Sequence, residues 1–199
     1  MKIYRLSLIM ALVFFCSSCK EEKKADGADV ETEMDDNAEM NQDAEENEEI
    51  KEVTFNLESK SGSEVTGSVT FTQENGMVSM KADMTGLSEG QHAIHIHEKA
   101  DCSSDDGKSS GGHWNPTAEP HGKWGDEGGY HKGDIGNFNA DTDGNAEVSM
   151  STDEWCIGCD DETKNILGKA IIVHQGVDDF TSQPSGAAGS RISCGGIIQ

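Results

Sequence analysis

Apolar and polar residues alternate one for one in a succession of short runs, and no other pattern restricts the fold as much. Val53–Ser59 and Val65–Thr72 alternate on either side of Lys60-Ser61-Gly62-Ser63, and Met77–Met84 alternates after Glu74-Asn75-Gly76. Ala146–Met150 follows Asp143-Gly144-Asn145, and Lys169–Gln175 encloses a continuous apolar run suited to a buried strand. Successive side chains of a strand point to opposite faces, so a period of two marks strands with one face in a core. Gly- and Asn-containing turns at this short spacing join such strands as antiparallel neighbours. No segment supports a helix of three turns. The expected fold class is all-β, an antiparallel sandwich or barrel.

The pattern begins only near Val53, and what precedes it is different material. Lys2 and Arg5 flank the apolar run Leu6–Phe15, which is too short to span a membrane and reads as an export signal over residues 1–19. Ser17-Ser18 before Cys19 resembles the lipobox of bacterial lipoproteins, although Cys16 stands where that motif usually has Leu. The resemblance implies lipidation at Cys19 and a membrane anchor. Lys20-Glu21-Glu22 resembles the surface-export signal of some Bacteroidetes lipoproteins. The expected location is the cell envelope of a Gram-negative bacterium, periplasmic or on the outer-membrane surface. Residues 20–52 hold fifteen Asp and Glu, four Lys and no aromatic residue, too little apolar surface to offset the entropy of ordering. They read as an acidic disordered tether, which leaves 53–199 as the folded domain. The net charge of −23 argues against a nucleic-acid partner.

Within that domain the histidines crowd together. Six of the seven fall between His92 and His131, with Asp134 close behind, and the seventh is His174. Copper and zinc prefer imidazole nitrogen, with carboxylate as an occasional partner, so the cluster points to such ions. His95 and His97 lie two apart on a strand pattern, where both rings face one side and can reach one ion. The remaining donors must come from elsewhere. The long polar segment Glu98–Gly133 carries His113, His121 and His131, and a loop of that length is uncommon unless functional or tied down. His174, at the end of Ala170–Val173, is the candidate from a distant strand. His92 is an odd number of residues from His95 and faces away from the pair, as a structural histidine would.

Five motifs now stand in order: His95-Ile-His97-Glu98, Gly111-Gly-His113-Trp-Asn-Pro116, His131-Lys-Gly-Asp134-Ile-Gly-Asn137, Val173-His174 and Gly189-Ser-Arg191-Ile-Ser-Cys194-Gly195. Together they resemble the copper–zinc superoxide dismutases of the exported bacterial kind, a family that is itself a standing example of the sandwich architecture. The resemblance implies a Greek-key antiparallel β-sandwich or barrel of about eight strands with long metal-binding and electrostatic loops. It implies copper held by His95, His97, His113 and His174, and zinc held by His113, His121, His131 and Asp134, with His113 bridging. Asp178 matches a carboxylate that orients a histidine of each metal, here His95 and His121, a role that the neighbouring Asp179 could also fill. Arg191 matches the active-site arginine, and with His113 completes the implied catalytic pair. Cys102 and Cys194 match a disulfide. The implied activity is disproportionation of superoxide to oxygen and hydrogen peroxide. The family contains both monomers and homodimers, and the short C-terminus selects neither. An extracytoplasmic copper or zinc buffer or chaperone on the same fold is the competing reading, but family members that lose activity typically lose copper ligands or the arginine, which this chain retains.

Three features depart from the family. Ala100 stands where Gly is usual, which would be unfavourable if the position needs positive φ. Cys156-Ile-Gly-Cys159 is uncommon, and it reads as a local second disulfide, two free thiols or an adventitious metal site. Exported chains with an even number of cysteines favour disulfides. Finally, residues 53–199 carry nine basic and twenty-three acidic residues, so an anionic substrate needs a local positive patch. Lys108, Lys123 and Lys132 are the loop candidates beside Arg191, and weaker steering than in basic-lined relatives is expected.

Overall fold

The computed structural model describes residues 49–199. The export signal, Cys19 and nearly all of the acidic tether lie outside the described residues. The first strand starts at Lys51, not Val53, because Lys51 and Glu52 continue the ladder opposite Gln73 and Thr72.

Eight strands follow in chain order: β1 Lys51–Ser59, β2 Thr66–Glu74, β3 Met77–Thr85, β4 Gly90–His97, β5 Gly136–Ala140, β6 Ala146–Thr152, β7 Ala170–His174 and β8 Arg191–Gly196. They form one antiparallel sheet in the order β5-β4-β7-β8-β1-β2-β3-β6. The turn Asp141–Asn145 joins β5 to β6, the two ends of that order, so the sheet curls into a nearly closed barrel. Neither β3 and β4 nor β6 and β7 are neighbours, so both connections cross between the halves of the barrel, as in a Greek key.

The alternation in the sequence becomes the core. Along β3 every second residue is buried, placing Val78, Met80, Ala82 and Met84 inside the barrel. β4 and β7 behave differently, since both of their faces are buried. Ile94 and Ile96 of β4 and Ile171 and Val173 of β7 enter the main core. The other face of each strand lies beneath loops. There Ala170, Ile172 and Cys194 form a second apolar cluster with Cys102 packed against it. The Cys102–Cys194 disulfide, with Cα atoms 5.8 Å apart, pins the long loop onto β8. Ala100 is not among the residues with positive φ, so alanine is accommodated there without strain.

Three backbone hydrogen bonds fasten the middle and the far end of the long loop to each other and to β4. Trp114 N donates to Ile96 O at 2.8 Å, Gly133 N to Trp114 O at 3.0 Å, and Ile96 N to Gly133 O at 2.9 Å. Any side chain at Gly133 would collide with Ile96 O, so only glycine allows this approach. The result sets His113 and Asp134 beside His95 and His97.

Candidate metal centre

Seven side chains converge on the roofed outer face of β4 and β7. One group contains His95 and His97 from β4, His174 from β7 and His113 from the loop. The other contains His113, His121, His131 and Asp134. In each group the donor atoms lie within 4.8 Å of one another, and all seven residues are buried. The two groups share His113, whose ring centroid is 4.0 Å from that of His95 and 5.3 Å from that of His121.

Orientation of the rings is more telling than proximity. His95 Nε2 donates to Asp178 Oδ2 and His121 Nε2 to Asp178 Oδ1, both at 2.8 Å. His97 Nδ1 donates to Gly111 O at 3.0 Å and His174 Nδ1 to Gly189 O at 3.4 Å. The opposite nitrogens have no hydrogen-bond partner: His95 Nδ1, His97 Nε2, His113 Nε2 and His174 Nε2 in one group, His121 Nδ1 and His131 Nδ1 in the other. Buried polar atoms are rarely left so. Six in one place, each aimed inward while the other ring nitrogen of most is anchored, is the arrangement expected of metal ligands with their supporting partners. His121 Nδ1 and His131 Nδ1 lie 3.0 Å and 3.2 Å from Asp134 oxygens without hydrogen-bond alignment, while His113 Nδ1 lies 2.8 Å from Asp134 Oδ1. His92 contrasts with all of these. Its Nδ1 donates to His174 O at 3.0 Å and its Nε2 faces Ser88 O at 2.9 Å, so it buttresses β7 and has no nitrogen to offer.

The electrostatics favour ligation. Burial pushes His97 and His174 well below the usual histidine range, with cationic neighbours adding to the effect. Burial also takes His113 down to about 4, against the raising effect of Asp134. These three rings are therefore uncharged near pH 7 and keep a lone pair. Burial would lower His121 too, but Asp134 and Asp178 outweigh it and hold it up at about 9. Burial alone would raise Asp134, yet the close imidazoles of His113, His121 and His131 and the His131 N–H keep it ionised far below the carboxylate range. Asp134 Oδ2 also accepts from His131 N at 2.8 Å and Gly122 N at 3.2 Å, so one carboxylate shapes the loop and supplies charge to the group. Of the two adjacent acids, Asp178 reaches both rings; Asp179 instead accepts from Thr181 N and Ser182 N in its own turn.

A groove opens onto the four-histidine group between the long loop and residues 184–189, and Arg191 and Lys108 line it. Arg191 Nη1 donates to Gly107 O at 2.9 Å and to Ser110 Oγ at 3.2 Å. Ser110 is fully buried and in turn donates to Gly107 O at 2.8 Å. Nothing in the sequence singled out Ser110, because one serine in a polar loop carries no distinguishing pattern. The supporting carbonyls of Gly111 and Gly189 left no side-chain signal either. Of the three lysines, Lys108 alone lines the groove, where it pairs with Asp106 at 2.8 Å. Lys132 is bound to Glu154 on another face, and Lys123 does not line the opening. Cys156 and Cys159 are joined as a second disulfide.

An antiparallel barrel carrying a four-imidazole cluster that shares one ring with a three-imidazole, one-carboxylate cluster defines a protein built for two adjacent nitrogen-bound metals. Residues 65–197 match the family model for copper/zinc superoxide dismutase (SODC), and the chain belongs to that family. Its metals are copper and zinc, for which the donor sets are suited. The chain is 37% identical over 139 residues to "Superoxide dismutase [Cu-Zn] 2" of Aquifex aeolicus (strain VF5), covering 67% of this chain and 80% of that protein. It is 32% identical over 144 residues to "Extracellular superoxide dismutase [Cu-Zn]" of Caenorhabditis elegans, covering 69% of this chain and 63% of that protein, so it spans less than two thirds of that relative. Among solved structures, a double mutant of a SOD-like protein from Bacillus subtilis superposes with a TM-score of 0.64 at 31% identity, covering 73% of this chain and 97% of that one.

Proposed function

We propose that this chain is a superoxide dismutase that holds copper at His95, His97, His113 and His174 and zinc at His113, His121, His131 and Asp134. The observation that carries this reading is the set of six buried, unpartnered imidazole nitrogens aimed into two groups that share His113. Bound copper supplies a one-electron couple between Cu(II) and Cu(I), while zinc, which has no redox chemistry, supplies fixed charge. In the overall reaction one superoxide is oxidised to oxygen, a second is reduced to hydrogen peroxide, and two protons are consumed. His113 presents one nitrogen to each group, so its Nε2 is placed to hold one of those protons between the two halves of the reaction. Arg191 fixes a guanidinium at the groove, where it attracts and orients a small anion. Asp178 holds His95 and His121 in one orientation, which limits how far either ring moves as charge changes.

Two disulfides and the similarity to a protein named extracellular support export from the cytosol. We extend the proposal accordingly to an envelope lipoprotein in which the chain is cut just before Cys19, Cys19 carries the anchor, and the acidic segment up to about residue 52 spaces the 53–199 domain from the membrane.

The test is superoxide decay catalysed by the chain loaded with copper and zinc, against the same chain loaded with zinc alone. Fast decay that needs copper supports the enzyme. Slow decay with both metals bound would sink it and favour a metal buffer.

A further inference from the structure

His131 differs from the other histidines of the two groups. Asp178, Gly111 O or Gly189 O holds the outer nitrogen of His95, His97, His121 and His174, whereas among the described residues no hydrogen bond holds His131 Nε2. Its ring direction rests instead on its backbone, and both sequence neighbours of His131 are gripped from outside the loop. Tyr130 Oη donates to Glu154 Oε1 at 2.7 Å, and Lys132 Nζ donates to Glu154 Oε2. Trp155 Nε1 donates to Lys132 O at 2.9 Å. Glu154 and Trp155 thus hold residues 130 and 132 at three points, with His131 between them.

The gripping segment is itself tied to β1 and β2 of the barrel. Trp155 is buried with its ring edge against Phe71 of β2 at 5.9 Å and Trp124 at 5.4 Å. Ile157 is fully buried, its N–H donates to Gln73 Oε1 at 2.6 Å, and its carbonyl accepts from Lys51 Nζ at 3.1 Å. Between these anchors sits the Cys156–Cys159 bridge, and Cys156 forms an isolated parallel bridge with Asn165 later in the same loop, its N–H donating to Lys164 O at 2.8 Å and its carbonyl accepting from Ile166 N at 3.0 Å. The bridge closes the turn directly after the two gripping residues.

We propose that Glu154 and Trp155, stapled by the Cys156–Cys159 disulfide, are positioning residues for His131 and set how tightly the mixed cluster retains its metal. This rests on the reading that His113, His121, His131 and Asp134 hold zinc. Loss of a group that supports a metal ligand lowers metal affinity by roughly 10–100-fold. An indirect grip through the backbone belongs at the low end of that range.

The experiment measures release of zinc and of copper from the full metal-loaded chain to competing chelators, each followed separately. Glu154→Ala and the double change Cys156→Ser/Cys159→Ser are expected to release zinc about tenfold faster with copper release unchanged. Glu154→Gln, which keeps an acceptor for Tyr130, should fall between these and the parent. If Glu154→Ala does not fold, Trp155→Phe carries the test, since it removes the N–H that holds Lys132 O and keeps one aromatic ring in the buried position. Unaltered zinc release, or equal acceleration of both metals as in a general loosening, overturns the proposal. A parent chain that binds no zinc at the mixed cluster fails the underlying reading and takes the proposal with it.

Discussion

The two metal groups share a histidine yet are built by different means. The four-histidine group takes three of its members from paired strands. His95 and His97 of β4 lie opposite Ile172 and Ala170 of β7, and His174 extends the same strand opposite Arg191. Sheet register places those rings. The mixed group takes every member from residues 113–134, outside the strands, and the Asp134 carboxylate gathers them through three imidazoles and two backbone N–H groups. One site is therefore shaped by backbone pairing that exists without metal, the other by a network of its own ligands. The first tolerates loss of a charge better than the second, and the second depends on the staples that hold its loop.

The largest test of this difference removes the staple that both sites share. The Cys102–Cys194 bridge spans 92 residues of sequence, and a loop of that size contributes about 4–5 kcal/mol in the chain-entropy model. Changing both cysteines to Ser is expected to lower unfolding free energy in urea by that order. Because the bridge also pins the loop carrying Gly107 and Ser110, the Arg191 side chain should lose its anchor and catalysed decay should fall with stability. A loss well under 1 kcal/mol would mean that the loop is held by its backbone contacts alone. A smaller effect is expected from Asp178→Asn, which leaves every ligand in place but replaces a two-oxygen acceptor by one oxygen and one amide. His95 and His121 then compete for a single acceptor, and metal affinity should fall roughly 10–100-fold. If the comparison is right, zinc suffers more than copper, since β4 still directs His95. Elemental analysis after dialysis against a graded chelator decides this. Gly186→Ala should reproduce the pattern, because its Cβ would strike Asp178 Oδ1 and His121 Nε2.

The same contrast explains what could be read in the sequence. Period-two alternation located β1 to β3 and β6 because each buries one face, and the apolar run located β7 because it buries both. The spacing of His95 and His97 was legible as a pair on a strand for the same geometric reason. No pattern of that kind marks His121 or His131, since loop residues have no period; clustering in a long loop made them candidates, and only resemblance to a family assigned them to one metal. β5 was not read as a strand, because Gly136-Asn137-Phe138-Asn139-Ala140 buries only small residues and one Phe on its inner face. Contacts made by backbone carbonyls, such as Gly111 O on His97, depend on how loops fold back and carry no residue-type signature. The Glu154 and Trp155 grip on residues 130 and 132 was equally invisible, as it joins residues more than twenty apart that no local spacing links.

The smallest expected effect is the dependence of the metal-free chain on pH, and it separates the two groups by sign. His121, raised to about 9 by Asp134 and Asp178 against the opposing effect of burial, binds its proton more tightly folded than unfolded. Its contribution to stability is fully present below the unfolded value near 6.5 and is lost as pH rises through about 9. His97, His113 and His174, lowered chiefly by burial, act in reverse. Their contribution is present above about 6.5 and is lost as pH falls toward the folded value, about 4 for His113. Thermal unfolding of the metal-free chain should therefore be most favourable to the fold near pH 6.5 and weaken on both sides. Zinc takes the place of the proton on His121, since a ligating imidazole nitrogen must be unprotonated. Adding zinc should then flatten the alkaline limb between about pH 6.5 and 9. An alkaline limb unaltered by zinc would place the titration elsewhere and remove the carboxylate-built character assigned to the mixed group.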